Sequence, residues 1–155
     1  MDHQFFMKIA LDEAKKSNRI GDVPVGAVIV RNGKIISKAH NLKEKKQNAL
    51  YHAEVLAISR ACKKLKSFRL NDCELYVTLE PCLMCCGAII ASRLKKIYFG
   101  AYDKNYGCAG SKYDFLHDKS FECIVESEGG VLEDECRDLI TTFFGKIRKN
   151  NRRKK

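Results

Sequence analysis

Thr78-Leu79-Glu80-Pro81-Cys82-Leu83-Met84-Cys85, residues 78–85, is the stretch from which the rest of the chain can be read. Leu75, Tyr76 and Val77 lead into it as an apolar strand, and the small and apolar residues from Gly87 to Ala91 follow it. This order predicts strand, tight turn at Pro81, then helix, with both cysteines in the first helical turn. Residues three apart on a helix share a face, so the two sulfurs can point at one spot. A helix N-terminus offers free N–H groups and a partial positive charge. Both favour thiolate over thiol, the form that binds metal or attacks.

Upstream, the spacing predicts a helix over 52–65, opened by His52-Ala53-Glu54, with Val55, Leu56, Ile58, Ala61, Cys62 and Leu65 on its apolar side. Before it, Val23 to Arg31 is β-branched and apolar on both faces, as a buried strand would be. Asn32-Gly33 is a strong hairpin signal, and Lys34 to Ala39 returns as the second strand, with Asn41 at its end. Leu42 to Asn48 reads as a polar, basic loop. Residues 3–16 read as an opening helix with Phe5, Phe6, Ile9, Ala10 and Glu13 on one face.

Downstream come a strand at Lys96 to Gly100, a Gly-containing loop at Asp103 to Ser111, a fifth short strand at Glu122 to Glu126 and a Gly129-Gly130 break. The last helix, Leu132 to Ile147, carries an apolar stripe through Cys136, Leu139, Ile140, Phe143 and Phe144. Helix, hairpin, then alternating helices and strands argue for a three-layer α/β/α domain. Strands joined through a helix pair in parallel while the hairpin is antiparallel, so the five-stranded sheet is mixed.

At 155 residues the chain is expected to form one domain, over 1–147, followed by a basic tail at 148–155. The net charge is +10, but the last ten residues hold seven Lys or Arg and no acid. Without them 22 basic and 19 acidic residues remain, a net charge of +3. Such a tail suits nucleic acid or another acidic surface, and equally a solvated end. There are eight cysteines. Met1-Asp2-His3-Gln4 opens an amphipathic pattern rather than a secretory leader, and several cysteines sit in apolar patterns, so free thiols and a reducing cytoplasm are expected. No apolar run approaches the ~20 residues of a membrane span.

The chemistry lies where two helix starts meet. His52 opens one helix, Cys82 and Cys85 the next, and both helices begin at the same edge of the expected sheet. One imidazole and two thiolates can then hold one Zn2+, and three protein ligands with a fourth position open is the catalytic rather than the structural pattern. Cys86 is turned about 100° from Cys85 and is a poor fourth ligand. Glu54 faces a different side of its helix and can reach over a metal-bound water, whose pKa zinc lowers from ~16 to about 7, to relay its proton. Taken singly, the CxxC could be a redox pair or half a zinc ribbon, His52 a helix-start histidine and Glu54 a first-turn acid. In combination, H-x-E followed by P-C-x-x-C is the zinc deaminase signature.

The sequence resembles the cytidine deaminase superfamily, and within it the tRNA adenosine deaminase family, over nearly its whole length. HAE and PCLMC carry the superfamily likeness. VPVGAVIV (23–30), Asn41, LYVTLEPCLMCCGA (75–88), FGAYD (99–103) with AGS (109–111), and DECRDLITTFF (134–144) carry the narrower one. The resemblance implies a cytidine-deaminase-like fold, one zinc per subunit on His52, Cys82 and Cys85, and Glu54 as proton shuttle, the scheme established for that superfamily. It further implies that Asn41 hydrogen-bonds the flipped base, that Val23 lines its pocket and that Asp103 contacts the target ribose. Phe143 and Phe144 match an aromatic pair near the anticodon. Asn41 is also an ordinary turn residue, Asp103 an ordinary loop cap, and the phenylalanines fit the core stripe, at least one of them better so. The implied activity is hydrolytic deamination of adenosine to inosine at the wobble position of an arginine tRNA, bound through its anticodon stem-loop by a cytoplasmic homodimer. Ala49-Leu50-Tyr51 before HAE, and Tyr102 and Tyr106 around Asp103, depart from the family's usual residues. Two rivals stand beside this reading: a deaminase of a free base or nucleoside such as guanine or cytosine, and a non-catalytic zinc module that binds nucleic acid.

Overall fold

The structure is a computed structural model describing residues 2–121 and 123–154. Its elements run α1 (His3–Arg19), β1 (Gly26–Arg31), β2 (Lys34–His40), α2 (Lys43–Lys46), α3 (Ala53–Leu65), β3 (Cys73–Leu79), α4 (Leu83–Ala91), β4 (Lys96–Ala101), β5 (Glu126–Glu128) and α5 (Glu133–Arg153). The five strands lie in the order β2-β1-β3-β4-β5. β1 pairs antiparallel with both β2 and β3, whereas β3–β4 and β4–β5 are parallel, so the sheet is mixed as expected.

Strand alternation divides the core in two. Ala27, Ile29, Leu75, Val77, Ile97 and Phe99 pack with residues of α3 and α4 on one face. Val28, Val30, Tyr76 and Tyr98 pack with α1 and the first half of α5 on the other. The three layers are therefore α3/α4, sheet, and α1/α5. The hairpin closes at Asn32 (φ 51°) and Gly33 (φ 75°), the paired left-handed conformation that matches strand twist.

Four local expectations are corrected. The buried face of α1 is Phe6, Met7, Ala10, Leu11, Glu13, Ala14 and Ser17; Phe6, Ala10 and Glu13 lie where expected, but Phe5 is 53% exposed and Ile9 only half-buried, so the face is turned toward Met7, Leu11 and Ala14. Docking decides this, because α1 lies so close to Gly26 of β1 that a Cβ there would strike the backbone at Ala10 and Ala14. The fifth strand is Glu126–Glu128 rather than 122–126, and Glu122 lies outside the described residues. Its polar sequence suits a short edge strand, and its place is set by parallel pairing to Lys96, Ile97 and Tyr98. Part of the loop read at 42–48 forms the one-turn helix α2. Finally, α5 continues to Arg153, so most of the basic tail is helix rather than a frayed end.

The approach at Gly26 makes a prediction. Gly26→Ala forces helix and sheet apart and should cost about 3 kcal/mol, a fall in Tm of roughly 6–12 °C measured by thermal unfolding. An unchanged Tm would mean that α1 is not held against β1 there.

Candidate active site

The strand-to-helix turn places Cys82 at the N-cap of α4, and His52 takes the same position on α3. Neither side chain caps its own helix; the two face each other instead. Cys85, three residues into α4, shares the face of Cys82. His52 Nδ1 lies 3.6 Å from Cys82 Sγ and 3.5 Å from Cys85 Sγ. Two apices of a tetrahedral zinc site with ordinary Zn–N and Zn–S bonds are separated by about 3.6 Å, so the spacing is that of ligands around one ion. Among the described residues no fourth His, Cys, Asp or Glu joins the group. Cys86 is fully buried in the α3/α4 core, its thiol directed to the Pro81 carbonyl.

The electrostatics suit a cation. Cys82 is held down to about 4, first by the hydrogen bond from Cys85 and, against the effect of burial, by that from His52. The Cys85 thiol is pushed up by the same sharing with Cys82, then by burial, and His52 is raised by its bond to Cys82. One of the two sulfurs thus ionises readily, and a bound cation displaces the remaining proton.

His52 and Cys82 line a cleft of about 800 Å³, roomy for a nucleoside, with Cys85 buried behind them. Glu54 lines it from the first turn of α3, 4% exposed and outside the three-residue ligand group. Burial pushes its carboxyl up, and the neighbouring Cys82 sulfur adds to this. Asn41 and Val23 line the same cleft. Asn41 has both backbone groups tied down: its N–H donates to Val25 O (3.1 Å) and its carbonyl accepts from Ser17 Oγ (2.7 Å). Asp103 reaches the cleft and also caps its own loop, Oδ1 accepting from the N–H groups of Asn105 and Tyr106 at 3.1 Å each. The two phenylalanines divide: Phe143 is buried, whereas Phe144 is 39% exposed and lines the cleft. Tyr102 and Tyr106 stand exposed at its rim.

Two buried acids have roles that the sequence does not announce. Asp22, fully buried, accepts from the N–H groups of Glu44 and Lys45 (3.0 Å each) and so pins α2 beside the cleft. Glu80, 2% exposed, does the same for the loop after β4. Their only sequence signal is an acid beside an apolar strand pattern, which does not say what the acid binds. Arg137 and Thr141 also line the cleft from α5, beside Ile140 and Phe144 of the apolar stripe; being polar, they carry no signal in that stripe.

Residues 1–101 match the model of the cytidine and deoxycytidylate deaminase zinc-binding region. That span runs from α1 through β4 and contains the three metal-site residues and Glu54. A tRNA-specific adenosine deaminase of Bacillus subtilis (strain 168) is 47% identical over 149 residues, 96% of this chain and 92% of its own. The chain belongs to the tRNA-specific adenosine deaminase family. Another member, from Aquifex aeolicus (strain VF5), is 46% identical over 150 residues, 97% of this chain and 99% of its own. A structure from a study of A-to-I editing by tRNA:A34 deaminases at the wobble position of transfer RNA superposes with a TM-score of 0.84 at 35% identity, covering 87% of this chain and 98% of that one. A donor set of one imidazole and two sulfurs at tetrahedral spacing fits zinc, and the matched family region is a zinc-binding one. Zinc is the cofactor of this tRNA-specific adenosine deaminase family member.

Proposed function

We propose that the protein hydrolyses the 6-amino group of adenosine at the wobble position of a tRNA, giving inosine and ammonia, with an arginine tRNA as the substrate implied by sequence resemblance. The observation that carries this reading is a buried carboxylate, Glu54, lining a nucleoside-sized cleft together with His52 and Cys82 of an N,S,S triangle.

His52, Cys82 and Cys85 would hold the zinc, which when bound supplies Lewis-acid activation of water. Glu54 accepts the proton of that water, delivers it to N1 of the purine as C6 gains oxygen, and then helps protonate the departing amine. Water enters and ammonia leaves, so no oxidant or second cofactor is needed. Asn41 orients the base by hydrogen bonding, and Val23 and Phe144 supply apolar walls. Asp103 meets the ribose through the part of its carboxylate not used in the loop cap. A base inside a stem cannot enter such a cleft, whereas an anticodon loop can splay its base out.

The helix α5 supports an RNA partner in a second way. Arg137, Thr141 and Phe144 line the cleft, and Arg148 and Arg152 continue the same helix face by i,i+4 spacing. Lys149 and Arg153 form a neighbouring row, all exposed. A cationic ridge thus leads away from the cleft, suited to the phosphates of a stem. Homodimerisation and a cytoplasmic location complete the proposal on the strength of the family likeness. The eight free thiols fit a reducing compartment, and no helix among the described residues is long and apolar enough to cross a membrane.

The decisive experiment incubates the zinc-loaded protein with an anticodon stem-loop, with adenosine, and with free guanine and cytosine. Inosine in the stem-loop alone is expected. Ammonia only from a free base would favour the small-molecule rival, and no product from any substrate would favour the non-catalytic one. Deleting residues 148–155 should weaken stem-loop binding about five- to tenfold at moderate salt and flatten its salt dependence. Unchanged affinity and slope would reduce the end of α5 to a solvated helix.

A further inference from the structure

Glu80 has no part in the proton transfers above, yet it is one of the most enclosed acids in the protein, at 2% exposure, between the end of β3 and the ligand turn. Its carboxylate is filled from one side. Oε1 accepts from the Asp103 N–H (3.1 Å) and the Ser111 hydroxyl; Oε2 accepts from the N–H groups of Ala109 (3.1 Å) and Ser111 (3.0 Å). All four donors belong to the loop over residues 103–111. Two backbone bonds run alongside, from the Glu80 N–H to Ala101 O (2.8 Å) and from the Cys108 N–H to Pro81 O (2.9 Å). Gly107 lies where a Cβ would collide with the Glu80 carboxylate and with Asp103 O. The loop can therefore close on the acid only because that position has no side chain.

Burying a carboxylate is costly unless donors surround it, and donors to an ionised oxygen bind about twice as strongly as to a neutral one. Such an acid organises whatever supplies the donors. Here that is the wall of the cleft carrying Asp103, Lys104, Asn105 and Tyr106. The Asp103 N–H is itself one of the four donors, and Asp103 Oδ1 in turn holds the N–H groups of Asn105 and Tyr106. The orientation of the whole turn is thus referred back to Glu80.

We propose that Glu80 is a positioning residue that locks the 103–111 loop to the metal-ligand turn and so sets the wall of the cleft that meets the nucleotides around the target base. This rests on the tRNA reading of the site. Glu80 also lines the cleft, but it lies outside the metal-ligand group and its carboxylate contacts all go to the 103–111 loop, so its loss acts on substrate fit rather than on the chemical step.

The test uses the full chain, zinc-loaded, as Glu80→Gln and as Ser111→Ala. Glutamine keeps the size of the side chain but turns an amide toward N–H donors. In Glu80→Gln, zinc content should equal that of the parent, and amides over 103–111 should exchange with solvent about ten- to hundredfold faster while those of α1 and α3 do not change. KM for the anticodon stem-loop should rise about tenfold with kcat nearly constant. Ser111→Ala should move both quantities the same way by less, and it carries the test alone if Glu80→Gln does not fold. Parental exchange rates, a parental KM, or loss of zinc on substitution would each overturn the assignment. Failure of the parent protein to form inosine would instead overturn the tRNA reading, and the exchange measurement would still decide whether Glu80 holds the loop.

Discussion

Glu54→Gln should leave a folded, zinc-loaded protein that forms inosine about 10²- to 10⁴-fold more slowly, the range expected when a positioned proton carrier is removed. Glu54 is outside the ligand group, so metal content should not fall. It is 4% exposed, and burial raises its carboxyl above the usual carboxylate range. A buried carboxylate is a thermodynamic burden to the fold, and glutamine lifts it without creating a cavity. The variant is therefore expected to unfold at the same or a higher temperature while losing turnover. That opposition separates a catalytic acid from a structural one, whose loss would lower stability and activity together. Inosine formation at the parental rate by a zinc-loaded Glu54→Ala or Glu54→Gln protein would remove Glu54 from the mechanism.

Cys82→Ala and Cys85→Ala should each abolish zinc retention as well as activity. Among the described residues three side chains converge on the site, and the two distances from His52 Nδ1 to the sulfurs are those of one tetrahedral shell. Removing one leaves two ligands and solvent, and zinc measured after desalting should fall from one per chain to below about a tenth. The loss should also loosen the α3–α4 contact, because His52 and Cys82 join the two helix starts with no side-chain cap of their own. Cys86→Ala is the matched control. It is adjacent in sequence, but its sulfur points to the Pro81 carbonyl inside the core. That variant should cost stability through a small cavity yet keep its zinc. Zinc retained by Cys82→Ala, or lost by Cys86→Ala, would mean that the ligands have been misassigned.

Much of this molecule is visible in short-range patterns. The hairpin follows from Asn32-Gly33, whose left-handed backbone few other pairs adopt readily. The sharing of a face by Cys82 and Cys85 follows from helical spacing, and the turn away of Cys86 from the same geometry. The existence of an apolar stripe on α5 is legible, but not which of its members are buried: Cys136 and Phe143 are, whereas Phe144 lines the cleft and Ile147 is exposed. Periodicity says which residues lie on one side of a helix but not where along that side the sheet ends.

Residue types, their spacing and their resemblance to a family determined the layers of the fold, the expected metal ligands and the candidate shuttle, because helical and strand periods are properties of the local backbone. The tertiary structure alone decided the rotation of α1 over Gly26, the place of β5, the helical state of the basic end and the duties of Asp22 and Glu80. All of those except the exposed end of α5 depend on a partner distant in the chain, brought near by sheet register and layer packing. A buried carboxylate declares its role only through the donors that folding delivers to it.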